Sequence, residues 1–146
     1  MDRFDERILQ ELKIDGRISN VELSELIGLS ASATLRRVQE LEKSGVIKGY
    51  RVLTDNTQLG VGFIAYVSIG LASHRKQSQL EFEEHVRFVK EVVECHNITG
   101  ANEYLLRVET TDLPSYKKFH ADVLGECVHV QSITTMVVMD SPKDER

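Results

Sequence analysis

Two neighbouring arginines, Arg36 and Arg37, follow a run of small residues, Ser30-Ala31-Ser32-Ala33-Thr34. A guanidinium pairs bidentately with guanine or neutralises phosphate, and small side chains let a helix approach base edges closely. Farther on, Gly100-Ala101-Asn102-Glu103-Tyr104 sets one carboxylate and free backbone donors in a glycine turn between two apolar segments. Cys95-His96 and Cys127-Val128-His129 offer metal-ligating side chains, but neither has the spacing of a structural zinc site. Alternation along a strand would also send such neighbours to opposite faces. No Ser-His-Asp order, glycine-rich phosphate loop or carboxylate pair supports other chemistry, and no cofactor or metal is expected.

The charge is distributed in a way that favours the first grouping. The net charge of −5 is acidic, yet residues 30–51 carry net +3 between a segment 1–29 of net −3 and a segment 55–146 of net −5. One positive surface on an acidic body suits a protein that meets nucleic acid through a single face. With 41% hydrophobic residues the chain can bury an ordinary core. No apolar run approaches the ~18 residues that span a bilayer. Met1-Asp2-Arg3-Phe4-Asp5 lacks the order of a signal peptide, and two cysteines make no disulfide framework. A soluble, cytoplasmic protein without membrane partners is expected.

Three short helices must position the arginines. Ile8, Leu9 and Leu12 recur at helical spacing over 5–13, and Gly16 stops that helix. Ser19-Asn20-Val21-Glu22 has the form of a capping box and opens a second helix carrying Val21, Leu23, Leu26 and Ile27. After Gly28-Leu29-Ser30 a third begins, with Leu35, Val38 and Leu41 as its expected buried stripe and Gly45 as its stop. This is the helix-turn-helix pattern, whose helix after the turn enters the major groove N-terminal residues first. Arg36 and Arg37 fall off the stripe, so at least one should face solvent or DNA. Val46 to Leu53 alternates like a short hairpin or wing.

The remainder reads β-α-β-β-α-β. Strands are expected over 62–71, 92–99, 103–110 and 128–139, with helices over 78–89 and after Asp112. Phe63, Ala65, Val67, Ile69 and Leu71 form one strand face, Phe82, Val86 and Val89 one helix face, and Tyr116, Phe119 and Val123 the other. The order predicts an α+β chain: a winged helix-turn-helix, then a ferredoxin-like domain with a four-stranded antiparallel sheet. Ile64, Tyr66, Ile98, Leu105, Val137 and Met139 alternate with the core positions, which predicts an apolar second sheet face and hence a homo-oligomer. The expected boundaries are 1–53 for the DNA-binding domain, 54–61 for a linker and 62–146 for the second domain.

Over nearly its whole length the chain resembles the Lrp/AsnC family of leucine-responsive and asparagine-synthesis regulators. The resemblance rests on Asp15-Gly16-Arg17-Ile18-Ser19, Gly28-Leu29-Ser30, Leu35-Arg36-Arg37-Val38, Leu41-Glu42-Lys43-Ser44-Gly45-Val46-Ile47, Glu94-Cys95, Thr99-Gly100 and Glu103-Tyr104-Leu105-Leu106-Arg107-Val108. It implies a transcription regulator that binds double-stranded DNA, forms dimers and often octamers, and takes a small effector, commonly an amino acid, between dimers. Residue by residue, it implies DNA contacts by Ser30, Ser32, Ala33, Thr34, Arg36 and Arg37. It implies an effector site at Gly100, Ala101, Asn102, Glu103 and Tyr104, with Leu113, Met136 and Val137 tuning response or assembly. The family's Gly-Asp-x-Asp-Tyr is here Gly-Ala-Asn-Glu-Tyr, so one carboxylate is lost and the other lengthened. The family's proline before the last strand is replaced within Glu126-Cys127-Val128-His129. Cys95 matches a family cysteine in a strand, where a small buried hydrophobe is expected. The alternative is a siroheme-decarboxylase-like enzyme on the same two-domain chain, which need not keep Arg36-Arg37 or the small residues before them.

Overall fold

A computed structural model describes residues 1–144, so the last two residues of the expected second domain lie outside the described residues. The chain forms two compact units, Met1–Leu53 and one beginning at Thr54.

The first unit is three helices: α1 (Arg3–Ile14), α2 (Asn20–Ile27) and α3 (Ala31–Lys43). Each begins at a side-chain cap that satisfies backbone N–H groups orphaned at a helix start. Asp2 accepts from Phe4 and Asp5 N–H, Ser19 from Glu22 N–H, and Ser30 from Ala33 N–H. The Ser19/Glu22 capping box forms as read, and Gly28 takes the left-handed conformation (φ 74°) that turns α2 into α3. Ile8, Leu23, Ile27 and Leu41 make the buried core, each worth about 1.5–3 kcal/mol of gross burial.

Two expectations for this unit are corrected. Leu35 is not on the buried stripe: it is 46% exposed, while Thr34, at 0%, sits in the core beside Val38 and Leu41. Residues 46–53 form no strand and hence no hairpin wing. Gly45 (φ 77°) reverses the chain, and the Ile47 N–H bonds back to the Leu41 carbonyl, closing the end of α3. Ile47 packs on the core, Val52 and Leu53 stay exposed, and Tyr50 folds back to donate its hydroxyl to Glu42. With no second strand beside it, alternation alone makes no ladder.

The second unit runs β1 (Phe63–Leu71), α4 (Lys76–Val86), β2 (Val92–Asn97), β3 (Tyr104–Thr110), α5 (Leu113–Phe119) and β4 (Val130–Val137). All pairings are antiparallel in the order β2-β3-β1-β4, the ferredoxin-like topology. Ala65, Val67, Ile69 and Leu71 of β1 and Tyr104, Leu106 and Val108 of β3 are buried against Phe82, Val86, Tyr116, Phe119 and Leu124. α5 starts on the Asp112 cap with Pro114 in its first turn, and it runs into a π-helical turn, His120–Leu124. That turn inserts a residue, so Leu124 is fully buried after Phe119, while the expected Val123 packs against the same core and is only partly buried.

The second sheet face also differs from expectation. Tyr66 stands opposite Met136 and Ala65 opposite Val137, so Met136 lies on the open face and Val137 on the helix side. Met139 is beyond the strand. Ile64, Tyr66 and Leu105 do line the open face, but its middle is polar. Arg107, 3% exposed, donates to Glu109 at 3.0 Å and to the Tyr66 hydroxyl at 3.1 Å. Asn56, in the segment expected as a linker, donates to the other Glu109 oxygen at 3.4 Å, so that segment folds onto this sheet.

Candidate nucleic-acid interface and effector region

In α3 the cap fixes where the helix starts, and the core contacts fix its rotation. With Thr34 and Leu41 inward, the exposed face opposite them is Ser32, Leu35, Arg36, Gln39 and Lys43, spaced three and four apart. Arg36 has no side-chain partner among the described residues. Gln39 and Lys43 were not among the expected DNA residues, although their spacing from Arg36 marks them once the helix phase is known. An amide and an ammonium are donors of the kind that bond base edges or phosphates. Ser30 is committed as the cap, Ala33 is half-buried beside it, and the Asn20 amide of α2 donates to the Ala31 carbonyl at 2.7 Å, locking the turn.

Thr34 cannot contact DNA from the core, and that expectation is corrected. Arg37 is also turned away from the exposed stripe. Its guanidinium reaches Asp5 at 2.7 Å and Asp2 at 3.0 Å and lies over the Phe4 ring. The Asp5 and Asp2 acceptors hold its pKa above the ordinary arginine value.

The expected effector residues do not converge within one chain. Gly100 (φ 120°) and exposed Ala101 form the turn between β2 and β3. Asn102 donates to the Ser68 hydroxyl at 2.7 Å and accepts from Ser132 at 3.4 Å, lying across Gly70. Glu103, its side chain 12% exposed, accepts the Leu71 N–H at 2.6 Å and pairs with His74 at 2.7 Å. Tyr104 is in the core; its hydroxyl donates to Glu83 at 2.6 Å, and burial, then that bond, raises its pKa. Leu113, 61% exposed, opens α5 beyond the other end of β3, about 20 Å away along the strand. Met136 and Val137 lie opposite Tyr66 and Ala65, toward that far end.

A cavity of about 500 Å³ opens between α4 and the edge strand β2, lined by Glu83, Val86, Arg87, Cys95, Asn97 and Tyr104 among others. Of the expected effector residues Tyr104 alone lines it. It leaves Cys95 exposed, correcting the expectation of a buried thiol, because α4 does not cover the sheet edge. Among the described residues no three His, Cys, Asp or Glu side chains gather as metal ligands, and no helix is long and apolar enough to cross a membrane.

These two units match two family models: a winged helix-turn-helix DNA-binding domain over residues 1–48 and the Lrp/AsnC ligand-binding domain over residues 64–146. The chain is 38% identical over 144 residues to a proline dehydrogenase transcriptional activator of Rhizobium radiobacter, covering 99% of this chain and 92% of that one. It is 38% identical over 143 residues to the leucine-responsive regulatory protein of Escherichia coli K12, covering 98% and 87%. A Neisseria meningitidis transcriptional regulator in complex with L-Met superposes with a TM-score of 0.94 at 33% identity, covering 99% and 93%. These relatives are regulators, and the enzymatic alternative finds no support among them. A capped three-helix reader and a ferredoxin-like ligand-binding domain, both matched along almost the whole chain, place this protein in the Lrp/AsnC family of DNA-binding transcription regulators.

Proposed function

We propose that the protein reads the major groove with the α3 face Ser32, Arg36, Gln39 and Lys43, works as a dimer or larger assembly in the cytoplasm, and responds to an amino acid. The observation that carries the reading is the exposed stripe opposite buried Thr34 and Leu41. It sets a free guanidinium, an amide and an ammonium on one helix face, a donor set suited to guanine, adenine and phosphate. A dimer would present two such helices to half-sites a whole number of helical turns apart.

For the effector, support comes from the relatives' names: one regulator is leucine-responsive, and the Neisseria protein holds L-Met. In this chain an effector's ammonium would displace the His74 imidazole from Glu103, while the other carboxylate oxygen stays on the Leu71 N–H. The Gly100–Tyr104 turn and the Leu113, Met136 and Val137 group lie at opposite ends of the sheet, so a pocket using both needs a second subunit. A ligand changes DNA affinity only by binding two states unequally.

Selection of bound duplexes from a random pool, by the wild type and by the Arg36→Ala/Lys43→Ala variant, tests the DNA reading. Enrichment by the wild type and its loss in the variant is expected; equal enrichment would refute the assigned face. Calorimetry and sedimentation with each of the twenty amino acids, leucine and methionine first, test the sensing. Heat with a shift in assembly is expected, and neither with any amino acid would exclude it.

A further inference from the structure

Arg37 stands beside exposed Arg36 on the DNA-reading helix, yet its partners among the described residues lie in the first turn of α1 and its cap. Nη1 donates to Asp5 Oδ1 at 2.7 Å and to Asp2 Oδ1 at 3.1 Å, and Nη2 lies 3.0 Å from Asp2 Oδ2. Its guanidinium carbon sits 5.5 Å from the centroid of the Phe4 ring. The two carboxylates are themselves fixed. Asp2 Oδ1 caps α1 by accepting from Phe4 and Asp5 N–H, and Asp5 Oδ2 accepts the Asp2 N–H. A planar fork held by two hydrogen-bonded carboxylates and an aromatic face cannot turn without breaking several bonds together.

We propose that Arg37 is a positioning residue for DNA recognition: through Asp2 and Asp5 it locks the rotation that the core gives α3, and so the aim of Arg36 and Gln39. The geometry of the helix gives the reason. Residues 37 and 36 are 100° apart, so a fixed Arg37 fixes the direction of its neighbour. The glycine turn and the Asn20–Ala31 bond hold the N-terminal end of the helix, and Leu41, with Val38 beside it, holds it to the apolar core. Arg37 is nearly two turns beyond Ala31, and a polar fixed point there on the α1 side resists rolling that apolar contacts alone would allow. Recognition tolerates little such movement, because bidentate base contacts need donors aligned with base edges. The capping box of α1 thereby serves the reading helix, and the acidic start of the chain belongs to the DNA-binding machinery without touching DNA.

This inference rests on the assigned α3 face, and the two fail differently. The full-length wild type, Arg37→Gln, Asp5→Asn and their double variant would be titrated with a duplex selected by the wild type and with a scrambled duplex, across a range of salt. Positioning predicts that Arg37→Gln lowers selectivity about tenfold while the salt slope on scrambled duplex stays that of the wild type. Asp5→Asn should lower selectivity similarly, and the double variant no further than either single one. Should Arg37 neutralise phosphate instead, Arg37→Gln would flatten the slope by about 0.9 per contact. Asp5→Asn would then free the guanidinium and tighten binding; either result overturns the proposal. If Arg37→Gln does not fold, Asp5→Asn decides alone, by the sign of its effect. A wild type without selectivity for any duplex would instead refute the α3 assignment.

Discussion

Glu103 accepts the Leu71 backbone N–H on Oε2 at 2.6 Å, where β1 leaves its regular register on β4. The carboxylate that the family pattern assigns to an effector thus already closes the chain's own sheet. Leu71 is buried, and removing the acceptor strands its N–H at about 1–3 kcal/mol. Glu103→Ala should therefore lower stability by about that amount in the absence of any amino acid. Glu103→Gln keeps an oxygen acceptor and should recover most of the loss. Urea denaturation of the three proteins checks both; an Ala variant as stable as the wild type would show that the bond carries no weight.

Thr34 offers a test of opposite sign. Its Oγ1 is buried without a hydrogen-bond partner among the described residues. Thr34→Val keeps the shape and removes the unsatisfied hydroxyl, so stability should rise by about 1 kcal/mol. Selectivity for DNA should not change, since the side chain faces Leu41 and not the groove. A lowered thermal midpoint would contradict the assigned environment.

Acid should unfasten the helix caps. Asp2 is held below the usual carboxylate range first by the Asp5 N–H and then by Arg37. The Ser19 hydroxyl and N–H do the same for Glu22, and the Ser115 hydroxyl and N–H for Asp112. A pKa lower in the folded than in the unfolded chain gives stability that is present above the unfolded value, about 4 for a carboxylate, and lost as pH falls through the folded one. Unfolding midpoints measured from pH 6 downward should therefore hold until about pH 4 and then fall. Asp112→Asn, which still caps but does not titrate, should lessen the fall.

Gly70 is needed for closeness. A Cβ there would stand 2.3 Å from Ser132 Oγ and 2.8 Å from Asn102 Oδ1. Gly70→Ala should push Asn102 off Ser68 and loosen the Gly100–Tyr104 turn, seen as faster amide exchange at residues 100–104. Adding Ser132→Ala removes the nearer obstacle and should restore part of the protection. Unchanged exchange in the single variant would show that the turn does not depend on Asn102.

The identity and order of the elements were legible in the sequence because they depend on local patterns. Ser19-Asn20-Val21-Glu22 caps where it stands, Asp112 and Pro114 open a helix, and the alternation from Phe63 to Leu71 makes a strand. The family pattern of glycines and leucines likewise reads along the chain without regard to packing. What the sequence left undecided was phase, the choice between adjacent residues. Leu35 is the more apolar of its pair, yet Thr34 is buried; Leu124 is fully buried where Val123 is only partly so; Met136 and not Val137 takes the open face. Arg36 is free while Arg37 is held. One position turns a helical side chain by 100° and a strand side chain to the other face. That turn is fixed by groups distant in sequence, by the packing of Leu41 on Ile8, Leu23 and Ile27 for α3, by the pairing of β4 on β1 for Met136, and by a π-helical turn fitted over the core for Leu124.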